Sequence, residues 1–133
     1  MLYTMMQTCK ETNMTYQALK FYCNEGLVPN VKRDKNNRRV FDERDVAWIG
    51  SLTCLKKCDM SIQEMKEYLT LCLQGESTIP QRKELLAQKQ EALRKTIKEL
   101  EGSVAYIDWK QNFYDEILSG KRPYESNVTC SEE

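Results

Sequence analysis

The sequence predicts an all-α protein with a small β wing: a winged helix-turn-helix domain followed by a long coiled-coil helix. Three observations carry that prediction. Short amphipathic stretches, each opened by a capping residue, succeed one another over residues 1–74. A basic segment with a turn-forming Asn-Asn pair interrupts them at residues 31–41. After Pro80, apolar residues recur every seven positions as far as Leu118.

The first helix opens at Thr4, with Gln7 three residues on in the capping-box arrangement. Met5, Met6 and Cys9 are expected to face inward, and the helix ends near Thr12-Asn13. The second is written in TYQALKFYCNEGLVP, residues 15–29. Thr15 suits an N-cap, because its hydroxyl can accept from a free amide of the first turn. Ala18, Leu19 and Tyr22 then share one face, which leaves Gln17, Lys20 and Phe21 outward. Gly26 supplies a positive-φ stop and Pro29 prevents continuation. Two helices joined that tightly form a helix-turn-helix.

Residues 31–41, VKRDKNNRRVF, read as a two-stranded wing turning at Asn36-Asn37 between Val31 and Val40-Phe41. Lys32, Arg33, Lys35, Arg38 and Arg39 stand there against Asp34 alone. Asp42 caps a third helix with Val46, Ile49, Leu52 and Leu55 as core candidates. A second capping box, Ser61 with Glu64, opens a fourth helix carrying Ile62, Met65, Leu69 and Cys72, and Gly75 closes it.

Residues 75–120 form a linker and the long helix, for which Pro80 suits the first turn. Leu86, Leu93, Leu100, Ile107 and Tyr114 repeat at seven, with Ile97, Val104 and Leu118 at companion positions. At 1.5 Å per residue the helix spans about 55–60 Å. A lone helix of that length cannot bury its stripe within its own small domain. A partner chain is therefore expected, and the interface is assigned to Leu86, Leu93, Ile97, Leu100, Val104, Ile107 and Tyr114. Gln90 and Gln111 interrupt the seam as register-setting residues, and Gly102 is a point where the helix can bend. Residues 121–133 form a polar tail.

Composition narrows the function. The 133 residues hold one compact domain and an extended element. Twenty basic and twenty acidic residues cancel, so only the distribution of charge can point to nucleic acid. No apolar run approaches the roughly 18 residues of a membrane span. The start lacks an export signal, and six scattered cysteines are then expected as reduced thiols in the cytoplasm. The chain has no histidine, which removes the commonest general base and neutral metal ligand. No phosphate loop and no nucleophile–base pair is present either. The reading is non-enzymatic, without metal or cofactor.

The order of parts resembles the MerR family of transcription regulators. The resemblance rests on YTMMQTCKETNMTYQALKFYCNEGLVP, on NNRRVFDERDVAWIGSLTCLKK, and on the fourth and long helices. It covers about residues 2–118 and is strongest over 2–72. It implies a homodimer held by an antiparallel coiled coil, with two winged helices on a palindromic promoter. Such proteins bend and untwist an overlong spacer so that RNA polymerase engages both promoter elements. Carried over by position, Thr15, Tyr16, Gln17 and Lys20 form the recognition surface. Phe21 and Tyr22 are the aromatic pair, and Arg39 is the wing arginine.

The departures are specific. The family usually has arginine where Gln17 and Lys20 stand, tyrosine where Phe21 stands, and glycine and tyrosine where Asn37 and Arg38 stand. Phe21 lacks a hydroxyl for phosphate, and Lys20 is a point charge where a bidentate fork is usual. An operator unlike the commonest family sites is expected, with Arg38 offsetting lost phosphate contacts. From the residues themselves, Lys20, Lys32, Arg33, Arg38 and Arg39 would contact backbone while the tip of the second helix reads base edges. Leu19 and Tyr22 are mainly core.

Metal-sensing members of the family carry a paired-cysteine loop after the dimer helix, where this chain has Cys130 alone. No residues remain for a drug-binding domain. TCLKKCDMS and SVAYIDWKQNFYDEIL resemble the short branch of NmlR and AdhR regulators, which respond to aldehydes and other thiol-reactive electrophiles. Cys54 falls at that branch's cysteine, and Asp59 replaces its usual glycine. Cys58 lies one turn on and could act as a resolving thiol. The opposing reading makes both cysteines small buried apolar residues. A rival function, a coiled-coil adaptor whose winged helix binds protein, predicts no affinity for duplex DNA.

Overall fold

The computed structural model describes residues 1–129, so the expectation for Cys130 lies outside the described residues. In chain order the elements are β1 (Tyr3–Thr4), α1 (Met5–Thr12), α2 (Tyr16–Asn24), β2 (Lys32–Arg33), β3 (Arg39–Phe41), α3 (Glu43–Lys57) and α4 (Ile62–Gln74). A 3₁₀ turn (Glu76–Thr78) and α5 (Ile79–Leu118) follow. The chain divides into two compact units, Met1–Gln90 and Glu91–Glu133.

In the first unit, α1, α2, α3 and α4 each start where a side chain satisfies an orphan amide. Thr4 Oγ1 accepts from the Gln7 amide at 3.1 Å, and Gln7 Oε1 accepts from the Thr4 amide at 2.9 Å. Asn13 ends α1 in the left-handed region at φ 54°. The buried side of α1 is Met5, Thr8, Cys9 and Thr12, and Met6 is 67% exposed. The inward expectation for Met6 is thus corrected. The inward row follows the 3–4–7 spacing from Met5, and Met6 lies one helical step off it. Periodicity among apolar residues alone had passed over the two threonines.

Thr15 caps α2 by accepting from the Ala18 amide at 3.1 Å. Leu19 and Tyr22 are buried beneath the helix, and Gly26 at φ +76° turns Leu27 and Val28 into the same core. Phe41, Ile49, Leu52, Met60, Met65 and Leu69 complete it. Val46 and Leu55 of α3 pack against its margin, and Ile62 does so from α4. Trp48 Nε1 donates to the Leu27 carbonyl at 2.7 Å, and its ring stacks on Tyr68.

The wing differs from the ribbon expected. It has three strands in the order β1-β3-β2, all antiparallel, with Tyr3 opposite Phe41 and Arg33 opposite Arg39. A two-stranded ribbon would leave one edge of β3 with unpaired amides and carbonyls beside the core. The two residues of β1 cover it and place the start of α1 against the wing.

The Ser61–Glu64 box opens α4, and Gly75 closes it at φ +96°. The Thr78 hydroxyl then donates to the Leu71 carbonyl, and Arg82 donates to the Gly75 carbonyl. Lys89 pairs with Glu64 at 3.1 Å and donates to the Asp59 carbonyl. Leu85 packs on the core. These contacts bind the first turns of α5 into the first unit.

In the second unit, α5 continues unbroken through Gly102. Ile97, Leu100, Val104, Ile107 and Tyr114 are all exposed, Leu100 to 60%. Among the described residues nothing covers this row.

Phe41 joins the central strand to the core and is fully buried. Phe41→Ala should therefore lower the unfolding free energy by about 3–5 kcal/mol. Urea titration followed by circular dichroism checks this, with the midpoint falling and the slope unchanged.

Candidate nucleic-acid interface

Burial of Leu19 and Tyr22 decides which side of α2 meets solvent. Tyr16, Gln17, Lys20 and Phe21 lie on the exposed side, with Tyr16 at 46% and Phe21 at 40%. Tyr22 is 4% exposed and packs in the core, where burial pushes its phenol pKa up. It supports Phe21, whose ring lies 6.0 Å away in a tilted arrangement. Thr15 accepts one bond at the cap and sits at the exposed start of the helix, with its hydroxyl proton still to donate.

The wing turn is built around Asp34. Its Oδ1 accepts from the amides of Asn36 and Arg38, both at 2.9 Å. Asn37 takes φ 59°, as the turn requires. The segment's one carboxylate is thus engaged with its own backbone and forms no ion pair with the wing arginines. Arg33 Nη1 donates to the Asn37 carbonyl at 3.0 Å, across the ribbon.

Two wing side chains reach out of the wing. Arg39 Nη2 donates to Asn24 Oδ1 at 2.6 Å, which ties β3 to the last residue of α2. Lys32 Nζ lies 2.8 Å from Asp42 and 3.1 Å from Asp45, which ties β2 to the start of α3. Asp45 is buried, and its Oδ2 also accepts from the Asp42 amide at 2.9 Å. Lys32 and the Asp45 amide together hold the Asp42 carboxyl down at about 2, and Lys32 itself is raised by the same carboxylates. The ammonium is exposed but paired with the two carboxylates at the start of α3, whereas the sequence grouped Lys32 with the arginines.

A cleft of about 460 Å³ opens between the wing, the first turn of α1 and the first residue of α2. Arg33, Arg38 and Arg39 line it with Tyr16, Val40 and the turn-bound Asp34, and Thr4, Met5 and Met6 form the opposing lip. The exposed Met6 belongs to this lip. The structure thus gathers Tyr16 and three arginines, and leaves Gln17, Lys20 and Phe21 on the adjoining helix face. Sequence reasoning missed Asn24, Asp45 and the α1 lip. Asp45 was traceable as the third residue after the Asp42 cap; nothing local marks Asn24 as a partner for a residue fifteen positions away.

Cys54 is exposed on α3, and Cys58 is half-buried at its C-cap, with its amide bonded to the Cys54 carbonyl at 3.1 Å. The reading of both as buried apolar residues does not describe Cys54. Cys9 and Cys23 are partly buried beneath α1 and α2, and burial pushes both thiols up. Among the described residues no three His, Cys, Asp or Glu side chains converge as metal ligands. No helix among them is long and apolar enough to cross a membrane.

With Asp42 depressed in the folded state, its contribution is complete above the free value of 3.8 and is lost as pH falls toward about 2. Lys32→Met removes the largest cause of that depression and leaves the bond from the Asp45 amide. The melting-temperature gap between wild type and Lys32→Met should stay constant from neutrality to about pH 4 and narrow below it. Calorimetry across that range is the measurement.

Three comparisons place this geometry among known proteins. The model of the MerR HTH family regulatory protein matches residues 3–72. An HTH-type transcriptional regulator of Haemophilus influenzae is 32% identical over 114 residues, covering 86% of this chain and 84% of that protein. The HTH-type transcriptional regulator AdhR of Bacillus subtilis is 36% identical over 87 residues, covering 65% of this chain and 62% of that protein. In structure, the chain is similar to HiNmlR, described as a MerR family regulator lacking the sensor domain, bound to promoter DNA. That similarity has a TM-score of 0.75 and 30% identity, and covers 90% of each chain.

Proposed function

The chain belongs to the MerR family of HTH regulators, and on that premise we propose that it acts as a cytoplasmic homodimer binding an inverted repeat in promoter DNA. Its relatives are transcriptional regulators, and it is not an enzyme. The observation that carries the proposal is the cleft in which Arg33, Arg38 and Arg39 stand with Tyr16 beside the bare face of α2. Phosphate contacts fix register and orientation, and base edges carry sequence. In this reading the arginine cleft and Lys20 take the backbone, while Thr15, Tyr16, Gln17 and Phe21 face the major groove. Lys32 holds the wing to α3 and contributes little to phosphate.

The dimer follows from the exposed row on α5. Leu86, Leu93, Ile97, Leu100, Val104, Ile107 and Tyr114 form the seam of an antiparallel coiled coil, which sets two heads on two half-sites. Distortion of the DNA between them governs how RNA polymerase meets the promoter, so the protein acts on polymerase through the duplex.

The effector is assigned on a narrower base. Cys54 is an exposed thiol on a helix with lysines in its last turn, and AdhR is among the relatives. In the proposed switch, an electrophilic aldehyde or an oxidant modifies Cys54, with Cys58 as the resolving thiol after oxidation.

Each part has its own measurement. Duplexes selected by the protein from a random-sequence pool should show an inverted repeat, and binding should weaken steeply with salt. Arg38→Ala removes one phosphate contact from each protomer and should reduce the slope of log K against log salt by about 1.8, and Lys32→Met should leave it unchanged. An adaptor would enrich no duplex. The double substitution Leu100→Lys, Ile107→Lys should give a helical monomer in sedimentation and cost roughly 10²- to 10⁴-fold in affinity for the repeat, as one linked half-site is lost. For the switch, an electrophilic aldehyde should alter promoter output with wild type and not with Cys54→Ser; equal responses would exclude Cys54.

A further inference from the structure

The wing arginine of a DNA-binding head is useful only if its guanidinium is held where a phosphate will arrive. Arg39 is the centre of such an arrangement. It lies on β3, the middle strand of the sheet, and its side chain lines the cleft while bonding across to α2. The acceptor is Asn24 Oδ1 at 2.6 Å. Asn24 is the last residue of α2 and is exposed, so it contributes nothing to the core.

Guanidinium has five N–H donors in a rigid plane. One donated bond fixes the plane's position and still leaves donors for an anion. A neutral acceptor matters here. A carboxylate at position 24 would fix the group equally well and cancel its charge; an amide oxygen holds it and leaves the positive charge intact. The end of α2 carries the negative end of the helix dipole, which favours a cation at that site before any duplex binds.

We propose that Asn24 is a positioning residue for duplex binding: its amide oxygen holds Arg39 in the cleft so that helix α2 and the wing meet one backbone phosphate as a single preformed surface. The inference rests on the reading of the protein as a DNA-binding regulator. Holding the arginine in advance removes an ordering cost that would otherwise fall on binding. Asn24 itself touches no DNA in this account, so its effect is entirely conditional on Arg39.

That conditionality is the test. The full-length protein first selects a duplex from a random-sequence pool, and affinity is then measured by fluorescence anisotropy over a salt series. Wild type, Asn24→Ala, Arg39→Ala and the double variant are compared. Asn24→Ala should weaken binding roughly three- to tenfold, and in the Arg39→Ala background it should change affinity less than about twofold. Arg39→Ala removes one phosphate contact from each protomer and should reduce the salt slope by about 1.8, and Asn24→Ala by part of that. Thermal melting should show Asn24→Ala folded with an unchanged transition, so the loss is not one of stability. An undiminished affinity in Asn24→Ala, or an equal loss with and without Arg39, overturns the inference while leaving duplex binding intact. A pool from which wild type enriches nothing overturns the DNA-binding reading and this inference with it.

Discussion

A helix of nine residues has no stability of its own in water, because nucleation fixes several residues before the first bond returns anything. Whatever α2 presents to a ligand therefore depends on what lies beneath it. Leu19 and Tyr22 are that foundation, sealed by Leu27 as the chain turns at Gly26 and by Ile49 and Leu52 from α3. Apolar burial supplies the energy, at about 25 cal/mol per Å². The Thr15 cap fixes where the helix starts, and the spacing of Leu19 and Tyr22 decides which side chains face the solvent. The functional face is thus a by-product of core packing and one hydroxyl.

Zero net charge is compatible with a strongly patterned surface, and the pattern lies in which charges are already spent. Asp34 is engaged by its own turn, and Lys32 by Asp42 and Asp45. Those pairings sort the wing cations into two kinds. Lys32, whose compact ammonium can sit between two carboxylates, fastens the sheet to α3. The arginines, whose planar groups keep spare donors after one bond, line the cleft. Glu64 plays a part like that of Asp45: it completes a cap and accepts Lys89, and its carboxyl is held low by the Ser61 amide first and Lys89 second. Capping carboxylates in this fold double as anchors for a distant lysine.

What the sequence revealed and what it hid divide along the range of the interactions. The caps at Thr4, Thr15, Asp42 and Ser61 are local, three residues in reach, and each was legible. The heptad was legible because a period survives without knowing its partner. Leu19 and Tyr22 as core residues followed from spacing. Strand β1 was not legible: two residues carry no alternation, and Tyr3 owes its strand to Phe41, far along the chain. The same holds for Lys32, read as one more basic residue of a run until Asp42 and Asp45 were brought to it by the sheet. Asn24 was not legible either, because its partner Arg39 lies on the wing, fifteen positions along the chain. Met6 was misjudged because polar Thr8 and Thr12 fill the inner face that hydrophobicity alone would give to methionine.

The second unit carries two apolar rows of different chemistry, and the difference argues for which one a partner covers. Tyr106, Trp109 and Phe113 form successive ring contacts of 6.1 and 5.8 Å along one side of α5. Lys110 lies 5.0 Å from the Phe113 ring centre, and Arg122, paired with Glu116, lies 4.8 Å from it. Cations over ring faces, with their charged heads in water, let an aromatic row persist in solvent. The aliphatic row has no such option. Ile97, Leu100, Val104 and Ile107 have no quadrupole to attract a cation and no polar tip, so only another apolar surface removes them from water. Seven-residue spacing on a helix of 40 residues narrows that surface to a second helix of matching period. A second copy of the same chain, as in the proposed homodimer, would meet that requirement.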